Sequence, residues 1–597
     1  MSHGLKLYVS LSGRNESNCG ASASTPCKSI EGAVQIAEAS IEDNHNINID
    51  GGTVEDANVY VLQSNIFLTK SYHFTSSNTS IPSISSQRTK YMRAFTIKNS
   101  SVDLSIERLN FKMGVAEIAE ASDTSGKLGS ISLKNCAIEA NNDAVYLTNP
   151  IISLVIQDCA INITNDDAYV VTLLSEVNSL ILNRSTIWGN FFQVKLFKRS
   201  NMSVQMSHFT IFNASRHAIF CISLCKEIVI RDGRFESDSG ATSIQLADSC
   251  FGLSRLSLSM NNISFSKSTY SHDMFELLCI NFYMTNIKIK SNKIGGSVFS
   301  LSKSNGNISN IHFKGNIIHQ AFNLEGSKVN IKNISSSRPD TYQEFVKISS
   351  ESSLDIFQAM FKGTTILNTA KKGSKAFIYV LMSSPKHFKS LKMEDIIFDG
   401  VKPNPDSKPT NMIDTYVSDV NLKDITIKNS VFTTAIAVRN GNITVNNVNV
   451  VGNHGHKEHI MLIDGNSDHN LSMSNTYIET GGPIEQKSKY DPWKALVIKY
   501  ALKRENFKNV SLKMRLNESA CIEVEKGNEY KLKDLIEVKC PKGVDAVSHN
   551  TDVRCSNKCD CVTCKVLSSG SVSMIANKMN LILSVILLHV FCYLKIV

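Results

Sequence analysis

Tryptophan occurs only twice in these 597 residues and proline 11 times, and glycine is held to 30. With 42% apolar residues, that scarcity excludes a disordered or low-complexity chain and leaves material for a substantial core. No phosphate-cradling Gly-rich loop and no nucleophile elbow is present. After the run "KSIEGAVQIAEA" (28–39) almost no helical periodicity follows for hundreds of residues. Charge of one sign is also lacking. Lys and Arg number 63 against 54 Asp and Glu, a net +9 spread thinly, so nucleic acid is not implied as a partner. The excess concentrates only at 481–515, where nine cations from Lys487 to Arg515 face Glu485, Asp491 and Glu505. A solvated face accounts for that stretch, with an anionic-glycan or lipid-headgroup site as the alternative.

What is present is a repeat. "ISLKNCAI", "LVIQDCAI", "LILNRSTI", "SVQMSHFTI" and "IVIRDGRF" share alternating apolar residues, a polar pair, then another apolar residue. One apolar anchor per copy gives Ile97, Leu133, Ile156, Leu182, Met206, Ile230, Leu258, Met284, Ile308, Ile331, Ile356, Met393, Leu422, Val445, Met473 and Leu512. Most steps are 23–29 residues. Alternation with β-branched residues says strand. So short a period holds two or three strands per unit and no helical crossover. The expected fold is therefore all-β, a right-handed parallel β-helix of 16 coils, each burying an inward apolar column. Asn and Asp between strands read as turn residues suited to left-handed backbone.

A stack of coils needs a cover at its open end. In "KSIEGAVQIAEA", Ile30, Ala33, Val34 and Ala37 form one apolar stripe suited to lie there. A Cys19–Cys27 disulfide would close the small loop leading into it. The expected organisation is a cap at 1–50, the β-helix at 51–520, a Cys-rich module at 521–566 and an anchor signal at 567–597.

The stretch from "LYVSLSGRNESNCG" through "PCKSIEGAVQIA" resembles the N-terminal cap of right-handed β-helix proteins of the pectin-lyase-like superfamily, especially secreted animal members. "GGSVFSLSKSNGNISNIHFKGN" (295–316) resembles the degenerate repeats of polymorphic outer-membrane-type adhesins. This superfamily holds lyases, hydrolases and adhesins, so the likeness implies a fold more than an activity.

Cysteine placement bears on compartment. Setting aside Cys592 in the apolar tail, fourteen remain, an even number that suits a disulfide-bonded secreted protein. Cys136 and Cys159 hold the same place in successive units and are expected to pair, with buried thiols as the alternative. Cys225, Cys250 and Cys279 are spaced by about one coil each, with the same alternative. Cys521, Cys540, Cys555, Cys559, Cys561 and Cys564 are expected to form three disulfides; a zinc site is the alternative for "CSNKCDCVTC". Fourteen N-x-S/T sites occur, among them Asn78, Asn162, Asn183, Asn201, Asn213, Asn262, Asn307, Asn333, Asn442 and Asn470, and they permit glycosylation. At the C-terminus, Ser569 and Gly570 precede a polar-leaning spacer and an apolar stretch at 581–597, the layout of a glycolipid-anchor signal, with a short transmembrane anchor as the alternative. The N-terminus shows no signal peptide, so the true start is expected to lie upstream.

A second column, "NNDAVYL", "NDDAYVV", "GNFFQV" and "RHAIFCI", should place Asp143 beside Asp166 and Asp167 on adjacent coils, with Arg216 and His217 further along. Paired carboxylates are what glycoside hydrolysis uses. The set resembles a loose polygalacturonase pattern, which implies Asp143 at its first Asp and Asp166 with Asp167 at its Asp pair. The coil that should carry the family's His reads "GNFF", and no R-x-K follows. Asp143, Asp166, Asp167 and His217 are thus catalytic candidates against the plainer reading of turn residues. His454, His456 and His459 in "HGHKEH" read as a solvated turn, so no metal and no cofactor is expected.

These features lead to a non-enzymatic, extracellular or cell-surface protein, held to the membrane by its C-terminus, whose β-helix face binds a glycan or protein. A polysaccharide hydrolase or lyase and a structural matrix spacer are the alternatives. Few tryptophans weaken the carbohydrate reading, but Trp188, beside the acidic column, is the aromatic to follow.

Overall fold

The computed structural model describes most of residues 4–513, with its longest interruptions at 119–128, 195–201, 368–375, 381–389 and 480–493, and the strands Ile522–Val524 and Ile536–Lys539 beyond. Cys521, Cys540, Cys555, Cys559, Cys561, Cys564, Ser569 and Gly570 lie outside the described residues, as do Asn78, Asn201 and the side chains of the "HGHKEH" histidines. The chain divides into two compact units, Met1–His312 and Phe313–Val597.

The first unit is a parallel β-solenoid. One ladder runs through eleven strands, stacking Leu7, Ile47, Phe74, Ile106, Leu133, Ile156, Leu182, Met206, Ile230, Met260 and Met284 in register. All of them are buried. Side chains alternate across each strand, so the residues between them face outward. On a second ladder Leu147, Leu173, Val194, Cys221, Leu246, Leu277 and Leu301 stack in the same way. The two apolar columns bury their faces against each other, the only way such short strands can be shielded on one side.

The second unit repeats this design. Ile331, Ile356, Met393, Leu422, Val445, Met473 and Phe507 stack on one ladder, and Leu324, Ile348, Val380, Thr415, Val438 and Ile463 on the other. Both ladders continue past residue 520, through Ile522–Val524 and Ile536–Lys539.

The all-β parallel solenoid expected from the repeat is what the structure has, and the 16 expected coils differ from the strands actually stacked. Leu133 to Ile230 and Ile331 to Met473 are true register partners. Ile97 stacks on Leu68 in the other ladder; Met260 rather than Leu258 stands under Ile230, and Phe507 rather than Leu512 partners Met473. Four early rungs, Leu5–Val9, Asn44–Ile49, Ser71–Ser76 and Leu104–Glu107, escape the repeat because polar residues such as Asn44, Asn46 and Asn48 replace its motif.

The helix Ile30–Ala39 is capped by Ser29, whose side chain accepts the Gly32 amide, and it buries Ile30, Ala33, Val34 and Ala37 as the stripe required. It packs on the first strands of the unit. Cys19 and Cys27 are disulfide-bonded, and the Cys27 amide donates to the Tyr8 carbonyl, stitching the loop to the first rung.

Corners between strands carry left-handed residues one above another: Asn135, Asp158, Arg184, His208, Asp232, Asn262 and Asn286 have φ between 45° and 56°. Asn and Asp tolerate this conformation; Arg184 is held there by a bidentate pair with Asp158 at 2.6 and 2.8 Å.

Cysteine chemistry departs from expectation. Cys136 and Cys159 are buried free thiols, not a disulfide. Each Sγ donates to the carbonyl two residues back, Lys134 and Gln157, both at 3.2 Å. Ser185 does the same on the next coil, to Asn183 at 2.9 Å, and its hydroxyl accepts the Cys159 amide. The thiols therefore act as rungs of a polar corner ladder. Cys221–Cys225 and Cys250–Cys279 are disulfides instead of stacked thiols.

Candidate functional site

The acidic residues lie on adjacent coils, with the side chains of Asp143 and Asp167 and the backbone carbonyl of Asp166 engaged within the stack. Asp143 precedes the strand Val145–Leu147. Its Oδ1 accepts the Tyr169 amide at 2.8 Å, and its Oδ2 lies 4.0 Å from the Arg93 guanidinium. Arg93 also contacts Glu117 at 3.2 Å and lies over the Tyr146 ring, 4.7 Å from its centroid. One coil on, the Asp166 carbonyl accepts the Asn190 amide group at 2.9 Å and the Ser215 hydroxyl at 3.0 Å. Asp167 forms an ion pair with Arg216. Asn190 in turn accepts the Arg216 backbone amide at 2.9 Å. Side-chain oxygen to backbone amide is corner chemistry, repeated coil after coil.

His217 takes no part in it. Its Nδ1 faces the Thr242 carbonyl at 3.1 Å and its ring packs by Phe220. Burial holds its pKa below the usual imidazole value. Tyr169, buried beside this column, has its hydroxyl pushed up to about 12 by burial, which keeps it neutral. Inverting hydrolysis needs two carboxylates facing one bond with room for water. Here Asp143 and Asp167 are each spoken for by an arginine, and Asp166 is engaged through its backbone. Arg93, Glu117 and Tyr146 were invisible to sequence reading, since Arg93 meets Asp143 across 50 residues with no shared motif. Among the described residues, no group of three or more His, Cys, Asp or Glu could hold a metal ion.

A different feature stands on the outer face nearby. Asn162, Trp188, Phe212 and Glu236 are register partners on four successive coils. Alternation sends Ile161, Ile187, Ile211 and Phe235 into the core and puts this row outside. The Trp188 and Phe212 rings stack, 5.7 Å between centroids and 16° apart, and Trp188 keeps 38% of its surface exposed. Gly189 follows at φ 112°, a conformation that turns the chain directly after the tryptophan and that an L side chain resists. Thr186 and Thr210 flank the rings on the same strands, half-buried. Two near-parallel stacked rings with hydroxyls beside them offer the half-exposed indole of Trp188 as a contact for the apolar face of a pyranose. The signal was present in sequence: the repeat copies ending in Ile187 and Ile211 are each followed by an aromatic residue.

Of the glycosylation candidates described, Asn162, Asn213, Asn262, Asn307, Asn333, Asn442 and Asn470 are exposed and Asn183 is half-buried. Asn262 and Asn442 donate to Asp232 and Asp419 on the preceding coil, at 2.7 and 3.0 Å. Among the described residues no helix is long and apolar enough to cross a membrane, and the 581–597 stretch lies outside them.

No protein-family model and no curated protein sequence matches the chain. Among solved structures it is similar to the PL6 family alginate lyase AlyGC, at 8% identity and a TM-score of 0.21, covering 88% of this chain and 99% of that one. An arginine-to-alanine variant of the same lyase matches over the same shares at 8% identity, with a TM-score of 0.18.

Proposed function

We propose that this protein is a non-enzymatic β-solenoid of the cell surface or extracellular space that binds a glycan on its outer strand face. The observation that carries this reading is the Trp188–Phe212 stack, with Trp188 exposed and Phe212 half-buried, set in a row otherwise polar. Three disulfides and nine exposed glycosylation sequons among the described residues support an oxidising, secretory compartment. Attachment to the membrane by a C-terminal anchor belongs to the same proposal and rests on the sequence around Ser569 and Gly570. Asp143, Asp166 and Asp167 serve as corner residues, because their polar atoms close hydrogen bonds and ion pairs within the coil stack.

The test is binding of the full-length protein to a panel of neutral and acidic polysaccharides, with Trp188→Ala and Phe212→Ala beside the parent. Binding that drops at least about tenfold in either variant supports the reading. Parent-level binding in both variants, or no binding to any glycan, overturns it.

A further inference from the structure

The aromatic row does not end at Phe212. Following the same two outward columns up the first unit, Thr186 and Thr210 lead to Arg234, Ser264 and Lys288, while Trp188 and Phe212 lead to Glu236, Ser266 and Lys290. Glu236 is paired with Lys267 at 2.7 Å, so the acid in the row is neutralised locally. Arg234, Lys288 and Lys290 are exposed and have no ion-pair partner among the described residues. Lys293, just past the next corner, shares both properties. Hydrophobic packing gains nothing from unpaired lysines held in line on adjacent columns. Held in line and unpaired, they form a positive strip across which an anion can lie.

We infer that the strip from Trp188 and Phe212 through Arg234 to Lys288 and Lys290 binds a sulfated polysaccharide. This rests on the glycan-binding reading above and deepens it. Successive coils are about 4.8 Å apart, so the strip advances at nearly the pace of pyranose residues along an extended chain. One sugar packs against the Trp188 side of the ring pair; the next few pass over Arg234 and the serines; the acidic groups meet the lysines about three coils beyond Phe212. Cation density selects the class. Lys288 and Lys290 stand on one strand of one coil, two ammonium groups within the length of a single sugar. A polyuronate offers one carboxylate per residue, whereas a highly sulfated chain such as heparin offers more anionic groups per residue. Ammonium ions of this kind are point charges that suit freely rotating sulfate esters. A single-stranded nucleic acid could also stack on the rings, yet stacking platforms for such strands repeat an aromatic for each of several bases. Only two are aligned on this strip.

The experiment measures affinity of the full-length protein, at low and at physiological salt, for four probes: heparin, the same chain chemically desulfated, polygalacturonate, and single-stranded DNA. Heparin should bind, and desulfation should weaken it at least about tenfold. Lys288→Ala/Lys290→Ala should weaken heparin by a similar factor and lower the salt slope by about 1 per lysine removed. Both lysines are exposed, and an unchanged urea midpoint confirms that the variant folds. Polygalacturonate or desulfated chain binding as tightly as heparin overturns the sulfated assignment, as does a double variant with parent affinity. Tighter binding of DNA overturns it too. If neutral or uronate chains bind and depend on Trp188, only this inference falls; if no glycan binds, the glycan-binding reading falls with it.

Discussion

Asp238→Asn should stabilise the protein at alkaline pH and leave it little changed in acid. Asp238 is 2% exposed at a corner of the first unit, where its carboxylate takes hydrogen bonds from the Ala214 amide and the Tyr270 hydroxyl, both at 3.1 Å. No cation faces it among the described residues. Burial pushes its pKa up to about 7. In the unfolded chain the group titrates near about 3.9, so between those values the native state holds a proton that the unfolded state has released. Stability therefore falls as pH rises from about 4 to about 7, by roughly 4 kcal/mol for a shift of some three units. The amide variant cannot ionise and loses this dependence. Asp340 in the second unit is an internal control: burial raises its pKa as well, but four donors from Asn316, Ser336 and Ser337 soften the penalty. Urea midpoints of parent and Asp238→Asn, followed across pH 5 to 8, test the argument. The variant's advantage should grow with pH. Parallel profiles would refute the claim that a buried, unpaired carboxylate limits the first unit.

Three further outcomes follow from packing. Phe265→Ala removes a ring stacked on Phe235 at 4.6 Å and edge-on to Phe275 at 5.1 Å, and should cost about 3–5 kcal/mol by chemical denaturation. Thr415→Val should stabilise the second unit by about 1 kcal/mol, because the Thr415 hydroxyl is buried in the column between Val380 and Val438 without a partner among the described residues; a loss of stability would show that the hydroxyl is satisfied. Gly233→Ala would drive a methyl group into the Phe209 ring, and should lower stability by about 1–3 kcal/mol while Gly233→Ser does no better.

Much of the fold could be read in sequence because a solenoid reduces tertiary structure to a one-dimensional period. Leu133, Ile156, Leu182, Met206 and Ile230 could be aligned by eye, and they are register partners. The cap could be read for the same reason: the stripe of Ile30, Ala33, Val34 and Ala37 sits next to the first rungs, so it covers the end of the stack nearest to it. Period alone does not fix phase within a strand, hence the two-residue slip at Leu258. Nor does it decide what stacked cysteines do. Cys136 and Cys159 stand close enough to pair, yet corner carbonyls take their thiols. At the candidate site, the ladder sets Asp143 opposite Tyr169, two residues on from Asp167, and nothing in sequence signalled its partner, since Arg93 reaches Asp143 from two coils away. Trp188 could be singled out in sequence, but its stacking partner Phe212 was missed because the repeat motif was cut one residue short of it.

The account stands or falls on whether the acidic column is corner chemistry or catalytic. The direct measurement is a product assay on the full-length protein with acidic and neutral polysaccharides, scoring new reducing ends and unsaturated ends, with Asp166→Asn/Asp167→Asn alongside. The account predicts no product from either protein across the panel while heparin binding persists in both. Cleavage by the parent that disappears in the double variant would contradict it and make the column an active site.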